Sequence, residues 1–149
     1  MEKHSSKRTV VIIAEDDPDD RLLIRDAIKD ASQQPLEIIF VQDGAEMLDY
    51  LYHRGKYREM KNTPHPELVL LDLNMPKIGG MEVLEEIKRD PALRTIPVVV
   101  LTTSHEPAHI SRSYELGGNG FVTKPDSYHE LVELMQNIQK YWFRTVELP

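Results

Sequence analysis

Five short apolar runs, each followed by a segment of helical period, constrain this chain more than any other feature of it. The runs cover residues 9–14, 37–41, 68–72, 97–102 and 120–122. They are almost continuously apolar rather than alternating, which is the pattern of strands covered on both faces in a parallel sheet. Leu23, Ala27 and Ile28 form the first helical stripe, and Met47, Leu48, Leu51 and Tyr52 the second. Val83, Leu84 and Ile87 make the third, while Ile110 and Tyr114 make a thinner fourth. The fifth runs through Leu131, Leu134, Met135, Ile138 and Trp142, and Ser127 with Glu130 ahead of it forms a capping-box pattern. Strand then helix, five times over, predicts an α/β fold: a (βα)5 doubly wound architecture on a five-stranded parallel sheet. Right-handed crossovers leave few topologies for it.

Composition narrows the function classes. A chain of 149 residues is one domain in size. Cysteine is absent, which excludes disulfides, thiol catalysis and cysteine-based zinc sites and suits a reducing compartment. A cytoplasmic location is therefore expected. No apolar run approaches the roughly 18 residues of a membrane span. Residues 1–8 are polar, with no apolar core of a secretory signal, and are expected to be flexible. Eighteen basic against 25 acidic residues give a charge of −7 with no basic stripe, so no nucleic-acid partner is expected. The polar stretch 54–66, with Gly55, Pro64 and Pro66, reads as a long irregular loop.

Three of the apolar runs end in charge. Glu15 and Asp16 follow the first, Asp72 ends the third, and Lys124-Pro125 lies just past the fifth. Ligands of open parallel sheets bind outside the carboxyl ends of the strands. Taken singly, each residue has a plain reading. Asp72 can be a turn former, Lys124 a solvated charge and Thr102 an ordinary β-branched strand residue. Asp17, Asp19 and Asp20 suit the first turn of a helix. Glu15 and Asp16 fit that reading less well, because they sit at the strand end itself. Carboxylates from neighbouring strand ends repel one another unless a cation lies between them. Mg²⁺ takes oxygen ligands, typically one or two carboxylates with waters and phosphate. A carboxylate can also attack phosphorus and form an acyl phosphate. Pro125 restricts Lys124 to extended geometry, and its ammonium can pair with carboxylate or phosphoryl oxygens.

The set Ala-Glu-Asp-Asp-Pro, Leu-Leu-Asp-Leu-Asn-Met-Pro followed by Gly79-Gly80, Leu-Thr-Thr-Ser and Phe-Val-Thr-Lys-Pro resembles the response-regulator receiver domains of bacterial two-component signalling. The resemblance spans 9–142 and implies a flavodoxin-like receiver fold that signals rather than acting as an enzyme. It implies Asp72 as phosphoacceptor, with Mg²⁺ held by Asp16, Asp72 and the main-chain carbonyl of Asn74, and by Glu15 through water. Thr102 is then the switch hydroxyl, Phe121 the switch aromatic and Lys124 the phosphoryl contact. The implied partner is a sensor histidine kinase. The 52–66 loop and the tail from Tyr141 to Pro149 also look like the small stand-alone regulators paired with bacterial phytochromes. This gives a receiver domain over 9–143 and a C-terminal extension over 144–149. Trp142, Phe143 and Leu148 are more apolar surface than one helix face can hide, so a homodimer through this end is expected.

His105-Glu106-Pro107-Ala108-His109 matches the HExxH zinc pattern, but Pro107 fits only a helix's first turn and leaves His105 outside it. Zinc chemistry is not expected. His4, His53, His65 and His129 are expected to be solvated, and Gly117-Gly118-Asn119-Gly120 to be a tight turn. The enzyme alternative is a Mg-dependent aspartate-nucleophile phosphohydrolase. It needs a general acid two residues after the nucleophile, where this chain has Asn74. An intermediate receiver in a phosphorelay differs only in its partners.

Overall fold

The computed structural model describes residues 9–32, 34–60 and 65–149. The element order is β1 (Thr9–Ala14), α1 (Pro18–Ala31), β2 (Leu36–Val41), α2 (Gly44–Tyr52), β3 (Leu68–Leu71), α3 (Gly80–Arg89), β4 (Val98–Thr102), α4 (Pro107–Glu115), β5 (Gly120–Thr123) and α5 (Tyr128–Lys140). All strand pairs are parallel, in the order β2-β1-β3-β4-β5. The chain order reverses beside β1, so the carboxyl ends of β1 and β3 flank the crevice where such sheets bind ligands. This is the doubly wound architecture expected from the runs.

Two apolar layers sandwich the sheet. One gathers Ile12, Val69, Leu71, Val98 and Val100 against Met47, Leu51, Val83, Leu84 and Ile87 of α2 and α3. The other gathers Val11, Ile13, Leu68, Leu70, Val99 and Leu101 against Ile24, Ala27, Ile28, Leu131, Met135 and Ile138 of α1 and α5. Successive strand residues thus feed opposite layers, which is why the runs lack polar alternation.

Several expectations need correction. Leu23 is 47% exposed, and the buried stripe of α1 is Ile24, Ala27, Ile28 and Ala31. Tyr114 is 52% exposed, and α4 buries Ser113 alone. In α1 Ala27 and Ile28 are buried as expected and Ile24 takes the place of Leu23, whereas in α4 the buried position is Ser113, one residue before Tyr114. The 54–66 stretch is not irregular throughout, because Gly55–Met60 forms a 3-10 helix. Residues 61–64 with Pro64, like 1–8 with His4, lie outside the described residues. His53 is half-buried rather than freely solvated: it caps α2 with φ 56, its Nδ1 is buried, and its ring stacks on His65 at 6.0 Å. Ser127 caps α5 by accepting from Glu130 N–H at 3.1 Å, but the Glu130 carboxylate takes the Ser127 hydroxyl, not its backbone N–H.

The C-terminal end folds back on its own domain. Residues Tyr141–Thr145 form a π-helical turn after α5. Trp142 and Phe143 pack against the α1–α5 layer, and Leu148 with Pro149 borders a groove lined by Pro66, Ile96 and Pro97. Tyr141 is left 51% exposed.

Candidate functional site

The sheet ladder runs one residue past three strand ends and delivers the charged groups to one place. Glu15 N–H donates to Val41 O at 2.9 Å, Asp72 N–H to Ala14 O at 3.3 Å, and Lys124 N–H to Thr102 O at 2.7 Å. The backbone of each residue is held as firmly as the strand it leaves, while its side chain is free to turn into the crevice. The start of α3 closes the floor. A Cβ on Gly80 would lie 2.4 Å from the Asp72 carbonyl oxygen, so only glycine permits this approach of helix to strand end.

Carboxylate oxygens of Glu15, Asp16 and Asp72 all lie within 4.8 Å of one another. Asp16 is exposed, whereas Glu15 and Asp72 are buried. Lys124 enters from β5: its Nζ contacts Glu15 Oε1 and lies 3.3 Å from Asp72 Oδ2. Asp72 Oδ1 accepts from Asn74 N–H at 3.1 Å, which fixes the carboxylate plane. Thr102 is fully buried at the end of β4, and Phe121 is half-buried in β5 beside Val100.

One ammonium serves too many acids. Lys124 Nζ is also 3.6 Å from Asp20 Oδ2. The plain reading of Asp20 as a helix acid missed this; the available signal was its place in the first turn of α1, directly after the Glu15–Asp16 strand end. Burial pushes the Glu15 carboxyl above its ordinary range, and Lys124 pulls it only part of the way back. Burial would lower the Lys124 ammonium, but the Glu15, Asp72 and Asp20 carboxylates outweigh it and hold the amine above its usual value. Four carboxylates around one fixed cation leave the crevice strongly negative. That balance and the all-oxygen donor set fit a hard divalent cation. Asp17 stands apart as the N-cap of α1, accepting from Asp19 N–H at 2.9 Å.

The HExxH histidines do not converge. His105 is exposed in the loop before α4, and His109 lies within the helix. Among the described residues the candidate metal cluster is the acidic one.

A doubly wound parallel sheet with clustered acids and a largely buried lysine side chain at its carboxyl edge is an arrangement suited to a divalent cation and a phosphoryl group. Residues 11–136 match the model of the response regulator receiver domain, and the chain belongs to that family. It is 41% identical to response regulator Rcp1 of Synechocystis sp. over 149 residues, covering all of this chain and 99% of that protein. The phosphorylated cyanobacterial phytochrome response regulator RcpA matches at a TM-score of 0.88 with 40% identity, over 96% of this chain and 99% of its own. The Mn²⁺-bound form of Rcp1 matches at 0.85 with 42% identity, over 95% and 99%. No described helix is long and apolar enough to cross a membrane.

Proposed function

We propose that Asp72 accepts a phosphoryl group from the phosphohistidine of a sensor kinase in a Mg²⁺-dependent reaction. The observation that carries this reading is the convergence of Glu15, Asp16 and Asp72 within 4.8 Å, with Lys124 Nζ 3.3 Å from Asp72. Asp16, Asp72 and the Asn74 carbonyl would hold the cation directly and Glu15 through water. Bound there, Mg²⁺ would offset charge on the transferring group.

Asp72 Oδ attacks phosphorus, the P–N bond to the donor imidazole breaks, and the imidazole leaves with the bonding pair. Asn74 N–H orients the carboxylate for this attack. Lys124 is positioned to pair with phosphoryl oxygens once they arrive, exchanging part of its contact with Asp72 for them. Thr102 then donates its hydroxyl to the new oxygens and Phe121 fills the space behind it. The signal is this change of surface, and the chain acts as a phosphoacceptor without a substrate of its own.

Incubation with acetyl phosphate and Mg²⁺ should add one labile phosphoryl group by intact mass. Asp72→Asn should add none, and wild-type labelling of that variant would refute the assignment. That the similar RcpA is a cyanobacterial phytochrome response regulator supports a phytochrome-type kinase as donor, and the cysteine-free composition supports a cytoplasmic location. Phosphotransfer from a panel of histidine kinases tests this, and faster transfer from an unrelated kinase would overturn it. Tyr141, left exposed where Trp142, Phe143 and Leu148 fold onto their own domain, supports a homodimer through the C-terminal end. Light scattering over a concentration series should show a dimer that Tyr141→Asp weakens, and a monomer at every concentration would overturn it.

A further inference from the structure

The HExxH-like segment is a sequence motif that the phosphoryl site leaves unused, and its second histidine has a local task. His109, half-buried in α4, places Nδ1 2.6 Å from Ser104 Oγ. The Glu106 N–H meets the same oxygen at 3.4 Å. Ser104 N–H in turn reaches Thr102 Oγ1 at 3.5 Å. A neutral imidazole with its proton on Nε2 accepts from the Ser104 hydroxyl and leaves that oxygen's lone pairs to Glu106. The lengths rank these contacts. The first is a strong bond, and the two longer ones lie at the weak limit of hydrogen bonding. The β4–α4 loop is thus tied firmly to α4 and loosely to Thr102.

We infer that His109 is a positioning residue that carries the movement of Thr102 into helix α4 through Ser104. The inference rests on the phosphoryl reading above and adds the residue pair through which α4 is informed. Phosphoryl oxygens on Asp72 offer Thr102 a charge-assisted bond, roughly twice as strong as a neutral one. Donating that bond turns Thr102 Oγ1 toward Asp72 and so away from Ser104 N–H, whose 3.5 Å contact it accepts and which has little length to spare. Residues 103–106 then shift, and the short bond to His109 takes the start of α4 with them. Little packing resists, because Ser113 is the one buried residue of that helix.

The test uses the full chain with Mg²⁺ and acetyl phosphate, reading labelling by intact mass and α4 by amide hydrogen exchange over 107–115. Wild type should label and change its exchange there. His109→Ala should label normally, with an α4 response about five-fold smaller, the factor that one net hydrogen bond represents. Ser104→Ala should reproduce this from the other side of the bond. His109→Asn, whose carboxamide oxygen can replace Nδ1, should restore the response, which a merely structural loss would not allow. A full α4 response in both alanine variants overturns the inference, as does a labelled wild type whose α4 is unchanged. A wild type that takes no label refutes the phosphoryl reading itself, and the mass spectrum separates that outcome from the others.

Discussion

Glu15 and Glu46 each have a lysine at ion-pair distance and a largely buried carboxylate, yet their surroundings are built to opposite ends. Glu46 belongs to α2 and is surrounded by donors. Tyr57 OH donates to Oε2, Gln42 N–H donates to Oε1 at 3.0 Å, and Lys56 Nζ lies 2.9 Å away. Burial would raise its pKa, but the Tyr57 hydrogen bond, then Gln42 and Lys56, outweigh that and lower it. Glu15 shares Lys124 with Asp72 and Asp20, and burial prevails. The lysines differ as well: the Lys56 side chain is 68% exposed and that of Lys124 13%. A satisfied carboxylate ties the 3-10 segment to α2. An under-neutralised cluster holds unspent electrostatic attraction for a divalent cation, and only with that cation in place beside Lys124 does the crevice suit an anionic phosphoryl group.

The comparison can be broken most sharply at Lys124. Lys124→Ala strands several buried or half-buried carboxylates and should destabilise the metal-free protein by about 3 kcal/mol, as removing one partner of a buried pair does. Urea unfolding measures this, and an effect below that of the Glu46 variant described next would contradict the contrast. Glu46→Ala should cost about 2 kcal/mol, a fall of about 4–8 °C in Tm for a chain of this size, because charged hydrogen bonds are lost. It should also speed proteolysis within 55–60 while leaving labelling of Asp72 intact.

Acid should act on the two sites with opposite sign. The folded-state pKa of Glu46 lies below its ordinary 4.5, so its contribution is present above that value and is lost as pH falls through the folded one. The folded-state pKa of Glu15 lies above 4.5. The native state therefore binds the extra proton, and stability is gained as pH falls through the raised value without added metal. Unfolding of Glu15→Gln and Glu46→Gln against wild type between pH 7 and 3 separates the two slopes, and slopes of equal sign would refute the contrast. The smallest effect belongs to Lys56→Ala, at most about 0.5 kcal/mol, since its ammonium keeps its water.

Much of the fold was legible in the chain because burial on both faces of a parallel sheet leaves continuous apolar runs. The strand bounds fall within a residue of expectation: β2 begins at Leu36, β3 ends at Leu71, β4 begins at Val98 rather than Pro97, and β5 ends at Thr123. Helix faces were less legible. Leu23 and Tyr114 are large and apolar at helical spacing, but α1 and α4 turn Ile24 and Ser113 inward. Size and period alone do not fix which of two neighbouring positions meets the sheet. The candidate site was legible as charges at strand ends, since strand ends in such a sheet share one edge.

By itself, then, the sequence determined the alternation of elements, the buried runs and the types of charged residue at their ends, because each of these is written within a few consecutive positions. Only the tertiary structure decided how those charges are apportioned. Lys124 is 109 residues from Glu15 and 52 from Asp72. Which carboxylate an ammonium serves is set by distances of a few ångströms across three strands, and no local pattern encodes them. The same holds for Tyr57 on Glu46 and for the tail against Ile96: each was settled when the sheet brought distant segments together.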